Sequence, residues 1–403
     1  MALVVRAGTL LTNASNAAQC GVAFDDLGLV ADGALAIEEG RVAWSGRIAD
    51  LPAQFADAEL HEFPDCALVP GLVDAHAHPL FAGNREPDFA ARIRGEKASL
   101  GMLYTVEQTR KALEHAARFR HEVEGRLRMM AAHGTTTLET KTGYALHKPG
   151  EMELLKLARS YASDTALPRL VPTFLGAHAV PPEFANENDY VDYLVDQCLP
   201  FARAHGAVYA DAFCEPGFFS PDQTHRYLEA ARLHGLRLRV HCDEMSYGAA
   251  AAMAAKTGVD AVDHCNYIRD DDVEAIARNG IVLVACPATI AYLDLPGRAP
   301  VRAVLERGGT VALGSDYNPG TSPCFNLATV AYYGRKFFGL TAAEALYGVT
   351  IAAAKSLRTD AGTLRSGATA DCVLLQIESL DEFGWQFGGN LAAAVYRKGS
   401  RVA

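Results

Sequence analysis

The chain has no pair of cysteines at C-x-x-C spacing, no excess of basic charge, no low-complexity stretch and no short internal repeat. Nor does any uninterrupted apolar run reach the roughly 18 residues of a membrane span, so no membrane partner is expected. Its nine cysteines, Cys20, Cys66, Cys198, Cys214, Cys242, Cys265, Cys286, Cys324 and Cys372, are odd in number and dispersed. Such a set predicts buried free thiols in a reducing compartment, not a disulfide framework. The apolar start MALVVRAGTLL lacks the basic flank and cleavage site of a secretory leader, and its alternation suits a strand. A cytoplasmic location is therefore expected. Acidic residues outnumber basic ones, 48 against 37, a net charge of −11 that argues against nucleic acid and anionic membrane as partners. A small anionic substrate held by a local arginine stays compatible with that balance.

Half of the 403 residues are hydrophobic and 21% are charged, which suits a soluble protein with a sizeable core. The length fits a barrel with a smaller companion domain. Short β patterns at Leu3–Leu11, Ala34–Glu38, Arg41–Ser45 and Glu59–Phe63 open the chain. Asp32-Gly33, Glu39-Gly40 and Ser45-Gly46 read as turn punctuation between them. The same character returns at Asp371–Gln376 and Ala393–Lys398. Residues 1–65 and 355–403 are thus expected to form one small β domain from both termini, around a barrel spanning 66–354.

Inside that span, eight apolar runs alternate with helix-length amphipathic segments such as Gln223–His234 and Val273–Arg278. The runs are Ala67–Asp74, Thr135–Thr140, Arg169–Leu175, Ala210–Phe213, Arg237–His241, Ala261–His264, Ile281–Ala285 and Val311–Ser315. This is the pattern of an α/β chain folded as a (β/α)₈ TIM-like barrel, whose chemistry sits at the C-terminal ends of the strands.

Polar residues with metal-binding chemistry close four of those runs. His76 and His78 lie two apart, so on an extended strand both can reach one ion. His241, with Glu244 three residues on, closes a second run; His264 closes a third and Asp316 a fourth. A lone strand-end histidine is more often a hydrogen-bonded structural residue, but four such ends in barrel order predict a metal centre. Nitrogen and carboxylate donors without thiolate suit Zn²⁺ or Fe²⁺. The fourth run, ending Ala210-Asp211-Ala212-Phe213-Cys214-Glu215, carries no lysine that could bridge two metals, so one divalent ion is expected.

Together with several longer motifs, these residues resemble the amidohydrolase superfamily and, within it, the imidazolonepropionase family. The motifs are Phe81-Ala82-Gly83-Asn84-Arg85, Lys141-Thr142-Gly143-Tyr144, Thr173 to Pro182, and Ser315-Asp316-Tyr317-Asn318-Pro319-Gly320-Thr321. The resemblance runs over nearly the whole chain. It implies a hydrolase that opens 4-imidazolone-5-propionate to N-formimino-L-glutamate with metal-activated water. His76, His78, His241 and Asp316 would be the metal ligands, with Asp316 also relaying a proton alongside His264 or Glu244. Arg85, Tyr144 and His178 would hold the substrate with Glu244 near its ring; Asn318, Gly320 and Thr321 would meet the product. On residue type alone, Tyr144 could be packing, Arg85 a surface ion pair, Glu244 a helix-start carboxylate and Asn318-Pro319-Gly320 a plain turn.

The chain departs from the family in three places. Ala75-His76-Ala77-His78 stands for Cys-His-Thr-His, and Lys141-Thr142-Gly143-Tyr144-Ala145 for Lys-Ser-Gly-Tyr-Gly. The stretch Arg94 to Met102 is shorter than the family's and lacks its triple glycine. That last change leaves a hydantoin- or thiohydantoin-5-propionate as an alternative ring. A heterocyclic-base deaminase on the same ligands and a metal-storing barrel without chemistry are the further alternatives. The segment Ala331–Phe338 is either a homodimer face or a buried helix.

Overall fold

In the computed structural model, which describes residues 2–98 and 100–403, alternation near the N-terminus becomes a sheet. Met1 and Ser99, the latter within the shortened 94–102 stretch, lie outside the described residues. Four strands come first: β1 (Leu3–Leu11), β2 (Leu29–Glu38), β3 (Arg41–Arg47) and β4 (Glu59–Pro70). Glu39-Gly40 makes the β2–β3 hairpin turn, with φ of 50° and 74° as a two-residue hairpin loop requires. The other two expected turns are not turns. Asp32-Gly33 lies inside β2 and Ser45-Gly46 inside β3. Gly33 is there for close approach: a Cβ on it would come within 2.3 Å of the Leu10 Cβ on the neighbouring strand.

The barrel strands follow: β5 (Leu72–Asp74), β6 (Thr135–Lys141), β7 (Arg169–Ala177), β8 (Tyr209–Cys214), β9 (Arg237–Cys242), β10 (Ala261–His264), β11 (Val282–Ala285) and β12 (Thr310–Leu313). All neighbouring pairs are parallel and the order is sequential, the arrangement of a (β/α)₈ barrel. The seam between β12 and β5 closes beyond the strand ends, through Asp316 N to His76 O at 2.8 Å and His78 N to Tyr317 O at 2.9 Å. Helices pack outside. The one over Pro221–Leu233 starts two residues earlier than its periodicity predicts, because Ser220 and Gln223 form a capping box and Pro221 occupies the first turn.

β13 (Cys372–Leu375), β14 (Ala392–Arg397) and β15 (Ser400–Arg401) return to the first sheet, whose order is β15-β14-β13-β4-β1-β2-β3. The expected single strand Ala67–Asp74 is split at Gly71. Residues 67–70 pair with β13 in the small sheet and only 72–74 belong to the barrel. The barrel interior is lined by small or slender residues such as Val73, Ala75, Val171, Ala261, Val284 and Ala312. Among them sits a layer of fully buried charge: Glu139, Lys141, Asp211, Arg239 and Asp263. All nine cysteines are free thiols, and no helix among the described residues is long and apolar enough to cross a membrane.

Candidate active site

Strand β5 stops where its residues turn into the barrel mouth. His76 and His78 follow on the same side, with their Nε2 atoms 3.1 Å apart. Oδ1 of Asp316 stands 3.4 Å from the first and 3.3 Å from the second. The His241 ring, from the end of β9, lies 4.6 Å from that of His76, centre to centre. Ligand atoms of the three histidines fall within 4.8 Å of one another, and all three side chains are buried. Burial holds His78 well below the ordinary imidazole range, hence neutral. Burial opposes ionisation of Asp316, but hydrogen bonds from His76 and His78 outweigh it and hold the carboxyl well below its usual range. Burial lowers His241 as well, whereas His76, despite burial, is raised to about 9 by Asp263 and Asp316, so a cation bound here would take the place of its proton. Three imidazoles and an ionised carboxylate converging on one point are donors that fit a divalent cation.

Four residues around this point adopt left-handed backbone: Asp243 (φ 46°), His264 (68°), Cys265 (58°) and Asp316 (50°). Such conformations are costly for side-chain-bearing residues and gather where side chains must be aimed. At His264 the reversal lets the ring turn inward although its neighbour Asp263 already faces the barrel interior. His264 Nε2 stands 3.7 Å from Glu244 Oε2. Burial first, then the Asp316 charge, pushes Glu244 well above the carboxyl range. Glu244 is not a helix-start residue: the next helix begins at Ala250, and the Glu244 N–H donates to Glu215 Oε2 at 2.8 Å.

Above the donor set lies a cavity of about 180 Å³. His78, Arg85, Tyr144, His178, His241, Glu244, His264, Asp316, Asn318, Gly320 and Thr321 all line it, while His76 lies beneath. Met102, Phe213, Phe218 and Met245 complete the wall; Met102 ends the shortened 94–102 stretch, and the other three are apolar residues that no motif marks. Tyr144 is buried, and burial pushes its hydroxyl up, so it stays a donor. His178 Nδ1 lies 3.0 Å from the Gly143 carbonyl, which can only accept, so Nδ1 carries the proton. Burial lowers this imidazole to about 4, leaving Nε2 an unprotonated acceptor. An acceptor at Nε2 suits a ring N–H of the substrate.

Arg85 is no surface residue. Its side chain is 11% exposed and pairs through Nε with Asp88, itself fully buried. Asp88 also accepts from the N–H groups of Leu100, at 2.9 Å, and Gly101, at 3.3 Å, which ties the shortened 94–102 stretch to the arginine. Gly320 lies so close that a Cβ on it would come within 2.9 Å of an Arg85 terminal nitrogen. Asn318 folds the turn around it, accepting from Gly320 N and Thr321 N at 2.8 Å each, so its amide is largely committed locally. Thr289 is a further contact that the sequence did not mark: its hydroxyl donates to Asp316 Oδ2 at 2.6 Å.

Beneath the donor set, His76 Nδ1 is 2.9 Å from Asp263 Oδ2, and His241 Nδ1 is 3.0 Å from Asp211 Oδ2. The only sequence signal for these carboxylates is a charged residue inside an otherwise apolar strand.

A model of the amidohydrolase family matches residues 67–401. The imidazolonepropionase of Sphingopyxis alaskensis is 37% identical to the chain over 385 residues, 93% of this chain and 94% of that protein. That of Saccharopolyspora erythraea is 39% identical over 389 residues, covering 94% and 95%. Among solved structures, the guanine deaminase of E. coli superposes with a TM-score of 0.74 at 18% identity, covering 100% of this chain and 99% of that one. At that identity the likeness concerns the fold alone.

Proposed function

The chain belongs to the amidohydrolase family, in its imidazolonepropionase branch, and from that premise we propose that it hydrolyses 4-imidazolone-5-propionate to N-formimino-L-glutamate. The observation that carries the proposal is one small cavity with a guanidinium, Arg85, in its wall and three histidines with Asp316 gathered at its floor. One divalent ion, Zn²⁺ or Fe²⁺, would be held by His76, His78, His241 and Asp316. When bound, such an ion lowers the pKa of a coordinated water towards about 7 and polarises a carbonyl.

The rest falls to the chain's own groups. Arg85 receives the propionate carboxylate, a contact suited to a planar guanidinium. His178 accepts a ring N–H at Nε2, and the Tyr144 hydroxyl donates to the ring carbonyl oxygen. Asp316 takes a proton from the attacking water as its oxygen bonds to the carbonyl carbon. As the ring C–N bond breaks, Glu244, with His264 beside it, delivers a proton to the departing nitrogen. Asn318, Gly320 and Thr321 form the rim that faces the opened product.

A steady-state assay of metal-loaded protein on 4-imidazolone-5-propionate, hydantoin-5-propionate and its thio analogue tests this. Turnover confined to the imidazolone is expected; preference for another ring would refute the substrate and keep the reaction class. The proposal places the enzyme in the cytoplasm as a homodimer. The exposed Trp385 and Phe387, with Tyr332 and Tyr333 packed against Phe387, support that face. Light scattering that gives a monomer at assay concentration would remove the dimer.

A further inference from the structure

The charged layer inside the barrel does more than fill space. Lys141 Nζ lies 2.9 Å from Glu139, 2.5 Å from Asp211 and 3.1 Å from Asp263. Arg239 reaches Asp263 at 2.8 Å and Glu139 at 3.1 Å, and donates to the Ala75 carbonyl at 2.9 Å, one residue before His76. All five side chains are fully buried. Two cations against three carboxylates leave the layer one negative charge. Hydrophobic residues of similar volume would fill the same space without the desolvation cost of five buried ions, so stability alone does not account for the layer.

Its position does. Asp263 sends its carboxylate to both cations and Asp211 sends its own to Lys141, and each reaches a ligand histidine from the same side chain. Asp263 Oδ2 is 2.9 Å from His76 Nδ1, and Asp211 Oδ2 is 3.0 Å from His241 Nδ1. Both contacts are short but not aligned as hydrogen bonds; a carboxylate facing Nδ1 nevertheless favours the proton on that nitrogen, which turns Nε2 to the metal. Asp211 Oδ1 also accepts from the His241 backbone N–H at 3.2 Å, so one carboxylate fixes both ring and backbone of that ligand.

We propose that Lys141 and Arg239 are positioning residues of the metal centre: they hold Asp263 and Asp211 in place, and those carboxylates set the tautomer and aim of His76 and His241. This rests on the ligand set proposed above. The layer acts on metal affinity through two residues that never touch the metal. Lys141 is the centre of it, since its ammonium is the one group shared by both aspartates and Glu139.

The test is zinc affinity of the full chain, stripped by chelator and titrated in competition with a chromophoric chelator. Wild type, Asp211→Asn, Asp263→Asn and Lys141→Met are compared with Glu344→Gln, a buried carboxylate paired with Arg302 away from the site. Each asparagine variant and Lys141→Met should bind zinc roughly 10- to 100-fold more weakly. Glu344→Gln should lower the melting temperature and leave affinity unchanged. Folded asparagine variants that bind zinc as tightly as wild type overturn the inference while sparing the ligand set. Wild type that binds no stoichiometric zinc overturns both.

Should Lys141→Met not fold, ¹⁵N-histidine spectra of zinc-loaded wild type still decide. Two coordinated imidazoles should show downfield Nδ1–H protons, with one lost in each asparagine variant. Coordination through Nδ1 of His76 or His241 would overturn the inference outright.

Discussion

Replacing Arg85 by methionine keeps the side chain's length and removes its charge. The guanidinium is 11% exposed, so a carboxylate meeting it is largely desolvated. Charge-assisted hydrogen bonds contribute about 1.5–3 kcal/mol each, and a two-bond grip therefore about 3–6 kcal/mol. At about 1.4 kcal/mol per factor of ten, kcat/KM on the propionate substrate should fall by roughly two to four orders of magnitude, most of it in KM. The substitution also strips Asp88 of its cation, although Asp88 keeps the Leu100 and Gly101 N–H groups. That loss appears as a lower melting temperature and has to be separated from recognition. The separating assay uses a second substrate with a propionamide arm in place of the carboxylate. Arg85→Met should lose its full factor on the acid and less than about threefold on the amide. Equal losses on both substrates would mean that Arg85 acts by holding the fold, and the recognition argument would fail.

Asp88→Asn should raise KM several-fold with little change in kcat, and should speed trypsin cleavage after the already exposed Arg94 and Lys97 by loosening the stretch that Asp88 ties down; unchanged cleavage would count against that tie. Removing the metal with a chelator should abolish turnover and lower the melting temperature, and added Zn²⁺ or Fe²⁺ should restore both in a concentration-dependent way. Glu344 supplies the pH dependence. Burial works to raise its pKa, but hydrogen bonds from Arg302, Thr341 and Gly21 bring it down from 4.5 to about 2. Its stabilising contribution is thus fully present above pH 4.5 and is lost as pH falls towards 2. The urea midpoints of wild type and Glu344→Gln should converge over that window, and a constant gap would contradict the assignment.

The parts legible in the sequence are those in which one strand carries its own signal. Leu3–Leu11 alternates and is a strand with those bounds, and His241, His264 and Asp316 each end an apolar run and line one cavity. The parts that were not legible depend on partners far away in sequence. Glu139, Lys141, Asp211, Arg239 and Asp263 sit singly or as a pair in strands β6, β8, β9 and β10, and each alone reads as a blemish in an apolar run. Only the closed barrel, which points them to one interior, makes them a network. Gly71 was read through as part of one strand because hydrophobicity does not change there; what changes is the pairing partner, β13 on one side and β6 on the other. Asp88 was invisible for a similar reason, since its value lies in meeting Arg85 and the 100–101 backbone at once.

The split at Gly71 also bears on the order in which the molecule is made. β4 runs through that glycine into the strand that presents His76 and His78, and its last four residues are clamped by β13, near the chain's end. Synthesis delivers the first two proposed metal ligands long before their clamp. During translation the barrel mouth therefore stays unfinished until residue 375 has left the ribosome, a long-range pairing of the kind that folds slowly. A nascent chain stalled before residue 372 should bind zinc weakly, and one released just after residue 397 should bind it fully; the metal centre is completed from the carboxyl end.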